Sequence, residues 1–166
     1  EYLNNTGVVI SAQRILLLPL FETVSNPIVT ASKLKQEQTR TKTYKDQDQF
    51  RYISSEFEIV LKHLLAENIA VGNSYRKEAF EKVKNGHKID DPQKTNLDLA
   101  FEIWNSLIKH RYLDCEDGIN IKTFIKGEAT SYPSIQMSDG EKVLLYLIAQ
   151  ILLAPQNGFI VIDEPE

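Results

Sequence analysis

Residues 137–166 read MSDGEKVLLYLIAQILLAPQNGFIVIDEPE and carry the strongest structural signal in the chain. Ser138 stands three residues before Glu141, which is the spacing of a capping box, and a long apolar run follows. The four apolar residues before Asp163 are typical of a strand that ends at the acidic pair. The stretch therefore predicts a helix that begins after Ser138, a short return loop and a strand that ends at an acidic pair.

Both motifs contain groups that suit a magnesium-bound nucleotide. The free amides and the positive dipole end at the start of a helix can bind a phosphate. At the carboxyl end of the strand, Asp163 and Glu164 would point to opposite sides and could serve a metal ion and a water separately. Each motif alone has an ordinary explanation, as a helix cap and as the start of a loop. Their combination in this order is what predicts a nucleotide site.

Together, the two motifs resemble the signature motif and the Walker B strand of ABC-type ATPase heads. The likeness is greatest to the SMC/RecF branch and to the bacterial overcoming-lysogenization-defect ATPases, and it is specific over residues 137–166. It implies an α/β fold, namely a partial P-loop NTPase core sheet with a helical insertion. It also implies ATP and Mg²⁺ as cofactors and a homodimer that closes around ATP. The implied function is ATP binding and hydrolysis in DNA maintenance, repair or phage defence.

The resemblance assigns a role to each residue of the two motifs. Glu164 would be the catalytic residue that polarises the attacking water, and Asp163 would hold Mg²⁺ through a water. The nucleotide-binding residues would be Ser138, Asp139, Gly140 and Glu141. Asp139 departs from the first glycine of the ABC transporter pattern and Glu141 departs from its glutamine. Asp139 therefore places a negative charge where a phosphate is expected.

The composition of the chain is that of a single globular domain, with 166 residues of which 42% are hydrophobic. A net charge of -4 gives no support to DNA as a partner, which enters only through the resemblance. The single cysteine, Cys115, cannot form an internal disulfide, so we expect a cytoplasmic protein. The longest apolar stretch, 143–154, is shorter than the roughly 20 residues that span a bilayer, so no membrane partner is expected.

The seven glycines form no GxxxxGK followed by Ser or Thr, the loop that cradles phosphates in P-loop NTPases. In the resembling families this loop lies upstream, so we expect the chain to be a fragment that is inactive alone. Residues 1–24 would supply a core-sheet strand and the start of its lobe, with Arg14 as a candidate for a functional arginine. The strand is a short buried one at residues 7–11, and we expect it to join the same sheet as residues 159–162. Residues 25–112 would form a flexible linker and a helical insertion. Residues 113–166 would form the signature helix and the Walker B half of the core.

The central region shows helical periodicity after a polar stretch. We interpret residues 25–49 as a linker or exposed loop because apolar residues are sparse there. Trp104 falls within an apolar stripe and is predicted to be a packing anchor. A turn at residues 116–118 should precede a strand or hairpin. Three helices are predicted to begin near Ser55, Ser74 and Thr95. The second should be closed by Asn85 and Gly86, and the third should run to about His110.

Two other classes of function are compatible with the sequence. In a non-catalytic helical protein-interaction module, Ser138 would only cap a buried helix, and Asp163 and Glu164 would lie at the surface. A nuclease would need metal-binding carboxylates dispersed along the chain, and the sequence does not show such a set. The ATPase interpretation therefore has the interaction module as its main rival.

Overall fold

A computed structural model describes residues 7–11, 21, 23, 26–39 and 49–163. These residues form a mixed α/β fold of α-helices and two small sheets. None of the described helices is both long enough and apolar enough to cross a membrane. In chain order the elements are β1 (Gly7–Ser11), α1 (Pro27–Thr39), α2 (Gln49–Lys84), α3 (Asn96–Leu107), β2 (Arg111–Asp114), β3 (Lys122–Ile125), β4 (Ser131–Pro133), a 3-10 helix (Ser134–Gln136), α4 (Asp139–Leu152) and β5 (Phe159–Asp163).

The first sheet consists of β1 and β5, which pair in parallel. The prediction that the two strands belong to the same sheet is confirmed. Val8 pairs with Ile160 and Ile10 with Ile162, and both β1 side chains are fully buried against the helices. Because alternate side chains point to opposite faces, Phe159 belongs to the other face of the sheet, where it is 80% exposed. The strand predicted over residues 159–162 is confirmed, and its side chains are at least one third exposed in the fold of the described residues. None of the described residues forms a strand on the free edge of β5.

The second sheet is antiparallel, with β3 between β2 and β4. The turn between β2 and β3 is closed by the amide of Gly118, which donates to the Cys115 carbonyl at 3.1 Å. Gly118 has φ of +70°, a conformation that glycine adopts without strain. Asp117 accepts hydrogen bonds from two following amides, and these bonds lower the pKa of its carboxyl. The predicted turn and hairpin are therefore confirmed.

The predicted linker over residues 25–49 is wrong where the structure describes it, because residues 27–39 form α1. The Asn26 side chain accepts from the Ile28 amide at 2.8 Å, and Pro27 occupies the first helical position, where its missing amide costs little. The buried Thr30 hydroxyl donates to the Pro27 carbonyl and also lies 3.1 Å from His63 Nδ1 on α2. The low apolar density of this segment is still enough for a helix because α2 covers one face. Residues 40–48 lie outside the described part.

The two helices predicted from Ser55 and from Ser74 form one continuous helix, α2, of 36 residues. Ser55 is therefore an interior residue and not a helix cap. The predicted end at Asn85 and Gly86 is confirmed, because Gly86 has φ of +72° and the His87 amide donates to the Lys82 carbonyl at 2.8 Å. The third predicted helix is α3, which begins after Thr95 in a complete capping box.

The core lies where α2, α3 and α4 meet β1. Trp104 on α3 is fully buried and its Nε1 donates to the Glu141 carbonyl at 3.2 Å, which confirms its predicted packing role. Phe57 on α2 meets Tyr146 on α4 edge to face, with ring centroids 5.3 Å apart. The fully buried Gln150 donates to Tyr146 and to Glu56 of α2. Apolar packing and one buried polar network therefore join α2 to α4.

We predict that Trp104→Ala lowers the free energy of unfolding by about 3–5 kcal/mol, because it removes a fully buried ring that the fold cannot replace. Phe80→Ala is the matched control, since Phe80 is 72% exposed on α2 and should cost less than about 0.5 kcal/mol. Urea unfolding followed by circular dichroism measures both changes. Similar losses in the two variants would contradict the central position of Trp104.

Candidate functional site

The structure places the predicted site residues at the start of α4 and at the end of β5. Ser138 is the N-cap of α4, and Ser138, Asp139 and Gly140 are exposed. Glu141 is buried. Asp163 is the last residue of β5. Glu164 and Arg14 lie outside the described residues, so their predicted roles stay predictions.

A reciprocal capping box forms the start of α4. The Ser138 amide and the Ser138 hydroxyl both donate to Glu141 Oε2, each at 2.9 Å. In return, the Glu141 amide approaches Ser138 Oγ at 3.4 Å, a long and weak hydrogen bond. Ser138 itself has φ of -63° and ψ of 157°, the extended conformation typical of an N-cap. The predicted capping box is therefore confirmed.

Arg111 on β2, which no sequence motif singles out, completes this arrangement. Its Nη1 lies 2.6 Å from Glu141 Oε1 in an ion pair whose acidic side chain is only 8% exposed. The two carboxylate oxygens of Glu141 thus accept hydrogen bonds from Arg111 and from Ser138, inside the fold. Both oxygens of the Glu141 side chain are therefore engaged within the fold, and the predicted contact of Glu141 with a nucleotide stays a prediction. The sequence clue to Arg111 is the alternation of side chains along a strand, which places Arg111 on the same face of β2 as the buried Leu113.

The charges around the helix start are paired. The negative charge of Asp139, which the sequence analysis placed near an expected phosphate, lies 3.6 Å from Lys142 Nζ. Lys142 is the more buried partner, with 10% of its side chain exposed against 58% for Asp139. Arg111 pairs with Glu141, and in that pair the acidic side chain is the more buried partner. The two acidic and two basic side chains therefore bring no net formal charge to the exposed end of α4.

Gly140 has open space beside it. A methyl group added at Gly140 would meet no described atom within 4 Å, and the backbone does not have positive φ there. Neither sterics nor conformation within the described fold therefore requires glycine. Alanine would favour the helix by up to about 1 kcal/mol. A glycine at such a position lets another molecule approach the backbone closely.

The carboxyl end of the first sheet brings two polar residues into register, because Ser11 pairs with Asp163. Mg²⁺ is usually held by one or two carboxylates together with waters and substrate phosphates, so a single strand-end aspartate fits this ion. Among the described residues, no group of three or more His, Cys, Asp or Glu side chains could hold a metal.

Other reactive groups and clefts lie apart from these residues. Burial raises the pKa of Cys115 to about 12, so its thiol stays protonated at neutral pH and is a poor nucleophile. One open cleft lies between α2 and the following loop, where Lys82 pairs with Glu78 and Asp90. A second cleft lies between α1 and α2. Neither cleft is lined by a predicted site residue.

Comparison of the chain with protein-family models, with curated proteins and with solved structures finds no significant match. The geometry at the start of α4 and the end of β5 is therefore the basis for the functional argument.

We predict that Ser138→Ala lowers the free energy of unfolding by about 1 kcal/mol, the usual cost of losing an N-cap side chain. The loss follows because the Glu141 carboxylate keeps Arg111 but gives up its bond to the serine hydroxyl. Ser74→Ala, at an exposed position of α2, should change stability by less than about 0.5 kcal/mol. Thermal unfolding of both variants checks this. A parent-like Ser138→Ala would mean that the cap contributes nothing to folding.

Proposed function

We propose that the chain forms the signature-motif and Walker B half of an ABC-type ATPase head, which binds and hydrolyses ATP as a dimer. The supporting observation is the start of α4, where an exposed hydroxyl, an unobstructed glycine and paired charges meet at the positive end of a helix dipole. The parallel pairing of β1 with β5, which ends at Asp163, supports the same proposal. The P-loop core and the cytoplasmic location are parts of this proposal.

The exposed half of the helix start is suited to a phosphate. The amides of Asp139 and Gly140, the first two of α4, have no carbonyl partner within the helix and can donate to an anion. The Ser138 hydroxyl can rotate its proton from Glu141 toward a phosphate oxygen, because Glu141 Oε2 would keep its bond from the Ser138 amide. Lys142 offsets the negative charge of Asp139 at this surface. In the proposed dimer, Ser138 and Gly140 therefore contact the γ-phosphate of a nucleotide held by the other subunit.

The strand end supplies the carboxylates of the reaction. Asp163 would hold Mg²⁺ through a water, and Glu164 would orient and polarise the water that attacks the γ-phosphate. When bound, Mg²⁺ would neutralise charge that develops on the transferring phosphate. The biological setting in DNA maintenance, repair or phage defence rests on the resemblance of the motifs alone.

In the complete gene product, Glu164→Gln should reduce ATP turnover by at least about 100-fold, the low end of the contribution of a general base. ATP binding and the ATP-dependent dimer should persist, because the proposed metal and phosphate contacts do not involve Glu164. Glu166→Gln is the matched control and should retain turnover. Phosphate release and size-exclusion chromatography with ATP measure the two properties. Turnover in Glu164→Gln at the parent rate would remove Glu164 from the catalytic role.

Gly140→Ala separates a phosphate site from a plain helix start. Both Gly140→Ala and its control, Gly72→Ala on α2, have open space and should stabilise the fold by up to about 1 kcal/mol. Only Gly140→Ala should weaken ATP-dependent dimerisation, since its methyl group occupies the side where the phosphate approaches. Thermal unfolding and size-exclusion chromatography provide the two readouts. If Gly140→Ala dimerises with ATP as the parent does, the phosphate does not approach Gly140.

The second candidate function is the protein-interaction module. It is favoured by the C-terminal half of α2, where Phe80 is 72% exposed and Val83 is 60% exposed on the same side of the helix. A complete gene product that neither hydrolyses ATP nor dimerises with it would support this candidate.

A further inference from the structure

We propose that Arg111 is a positioning residue of the site, which holds Glu141 so that the start of α4 presents its donors outward. The expected effect of Arg111 on ATP-dependent dimerisation rests on the proposed function. Its effect on the start of α4 can be measured without a nucleotide. Arg111 itself is 29% exposed and reaches the site only through Glu141.

The contacts form a continuous path from the second sheet to the exposed serine. Arg111 Nη1 donates to Glu141 Oε1 at 2.6 Å, and Glu141 Oε2 accepts from the Ser138 amide and hydroxyl. The Glu141 carbonyl accepts from Trp104 Nε1 at 3.2 Å. Glu141 is thus fixed at its side chain by β2 and at its backbone by α3.

The sheet restricts the position of the guanidinium group. By register, Arg111, Leu113, Thr123 and Tyr132 share one face of the sheet. The guanidinium carbon lies 5.6 Å from the centroid of the Tyr132 ring, within the range of a cation–π contact. Arg111 therefore stands between an aromatic ring and a carboxylate. Its Nε is buried and has no protein partner among the described residues, so the path to Glu141 runs through Nη1.

The same sheet is also tied to the start of α4 along the chain. β4 leads directly into the 3-10 helix, whose Ser134 amide donates to the Ile121 carbonyl beside β3 at 3.1 Å. Met137 is buried immediately before the cap. The backbone therefore brings Ser138 next to the sheet, and the Arg111–Glu141 pair sets its orientation there.

The charge of Arg111 matters as much as its hydrogen bond. Without Arg111, the Glu141 carboxylate would be a buried charge with no basic partner among the described residues, which is strongly unfavourable. The unpaired carboxylate would shift toward solvent, which loosens its bonds to Ser138, and it would repel an approaching phosphate. Replacing Arg111 alone should therefore harm the site more than replacing both members of the pair.

The test uses the complete gene product in the Glu164→Gln background, with Mg²⁺ and ATP as the probe. Its variants are Arg111→Gln, Arg111→Lys, the double variant Arg111→Gln with Glu141→Gln, and the control Arg76→Gln at an exposed position of α2. Glutamine at position 141 keeps the capping-box acceptor without the charge. The two readouts are hydrogen exchange of the Ser138, Glu141 and Lys142 amides without ATP, and the ATP concentration that gives half-maximal dimer.

Arg111→Gln should speed exchange of those three amides by about tenfold relative to the rest of α4. It should also raise the ATP concentration that gives half-maximal dimer by about tenfold. Both changes are the size expected for a lost hydrogen bond to a charged group. The double variant should recover most of both losses, Arg111→Lys should lie between, and Arg76→Gln should match the parent. If Arg111→Gln does not fold, the double variant and Arg111→Lys still test the link.

Two results would overturn the proposal. A double variant as impaired as Arg111→Gln would show that Arg111 does not act through Glu141. Faster exchange spread evenly over α4 and the second sheet would show that the ion pair only stabilises the fold. If the parent forms no dimer with ATP, the proposed function fails, and the exchange of the three amides still decides the role of Arg111.

Discussion

The buried carboxylate of Glu141 is the constraint on which the arrangement of this region depends. A buried carboxylate is costly unless charged and hydrogen-bonding partners surround it. Here those partners come from different parts of the chain, with Arg111 from β2 and Ser138 from the residue before α4. Trp104 of α3 binds the backbone of the same residue. Satisfying Glu141 therefore brings the second sheet, α3 and the start of α4 into one unit.

This constraint divides the start of α4 into two halves with different properties. The buried half holds Glu141 and Lys142, whose charges are paired with Arg111 and Asp139. The exposed half offers the Ser138 hydroxyl and the backbone around Gly140. Rigid support on one side and free donors on the other are what an anion site at a helix terminus requires. A structural capping box and a phosphate site are thus compatible in the same four residues.

The helical region shows where local patterns are insufficient. The capping-box spacing at Ser55 predicts a helix start, but residues 49–54 are already helical and α2 continues past Gly72. A cap pattern is only a local preference, and packing of Phe57 and Leu61 in the core outweighs it. The predicted linker failed for the same reason, since α1 is held by its burial of Leu34 and Thr30. β5 is another example, because its residues 159–162 are apolar and yet remain exposed in the described fold. An apolar run predicts a strand but does not specify which element packs on it.

The sequence by itself determined the elements whose signals are local: the capped helix after Ser138, the strand ending at Asp163, the hairpin turn at Gly118 and the helix end at Gly86. Each depends on side chains a few residues apart, so spacing alone reveals it. Only the tertiary structure decided that Glu141 is buried and that Arg111 pairs with it from 30 residues away. That pairing depends on how the second sheet packs against α4, and no local preference encodes such a distance.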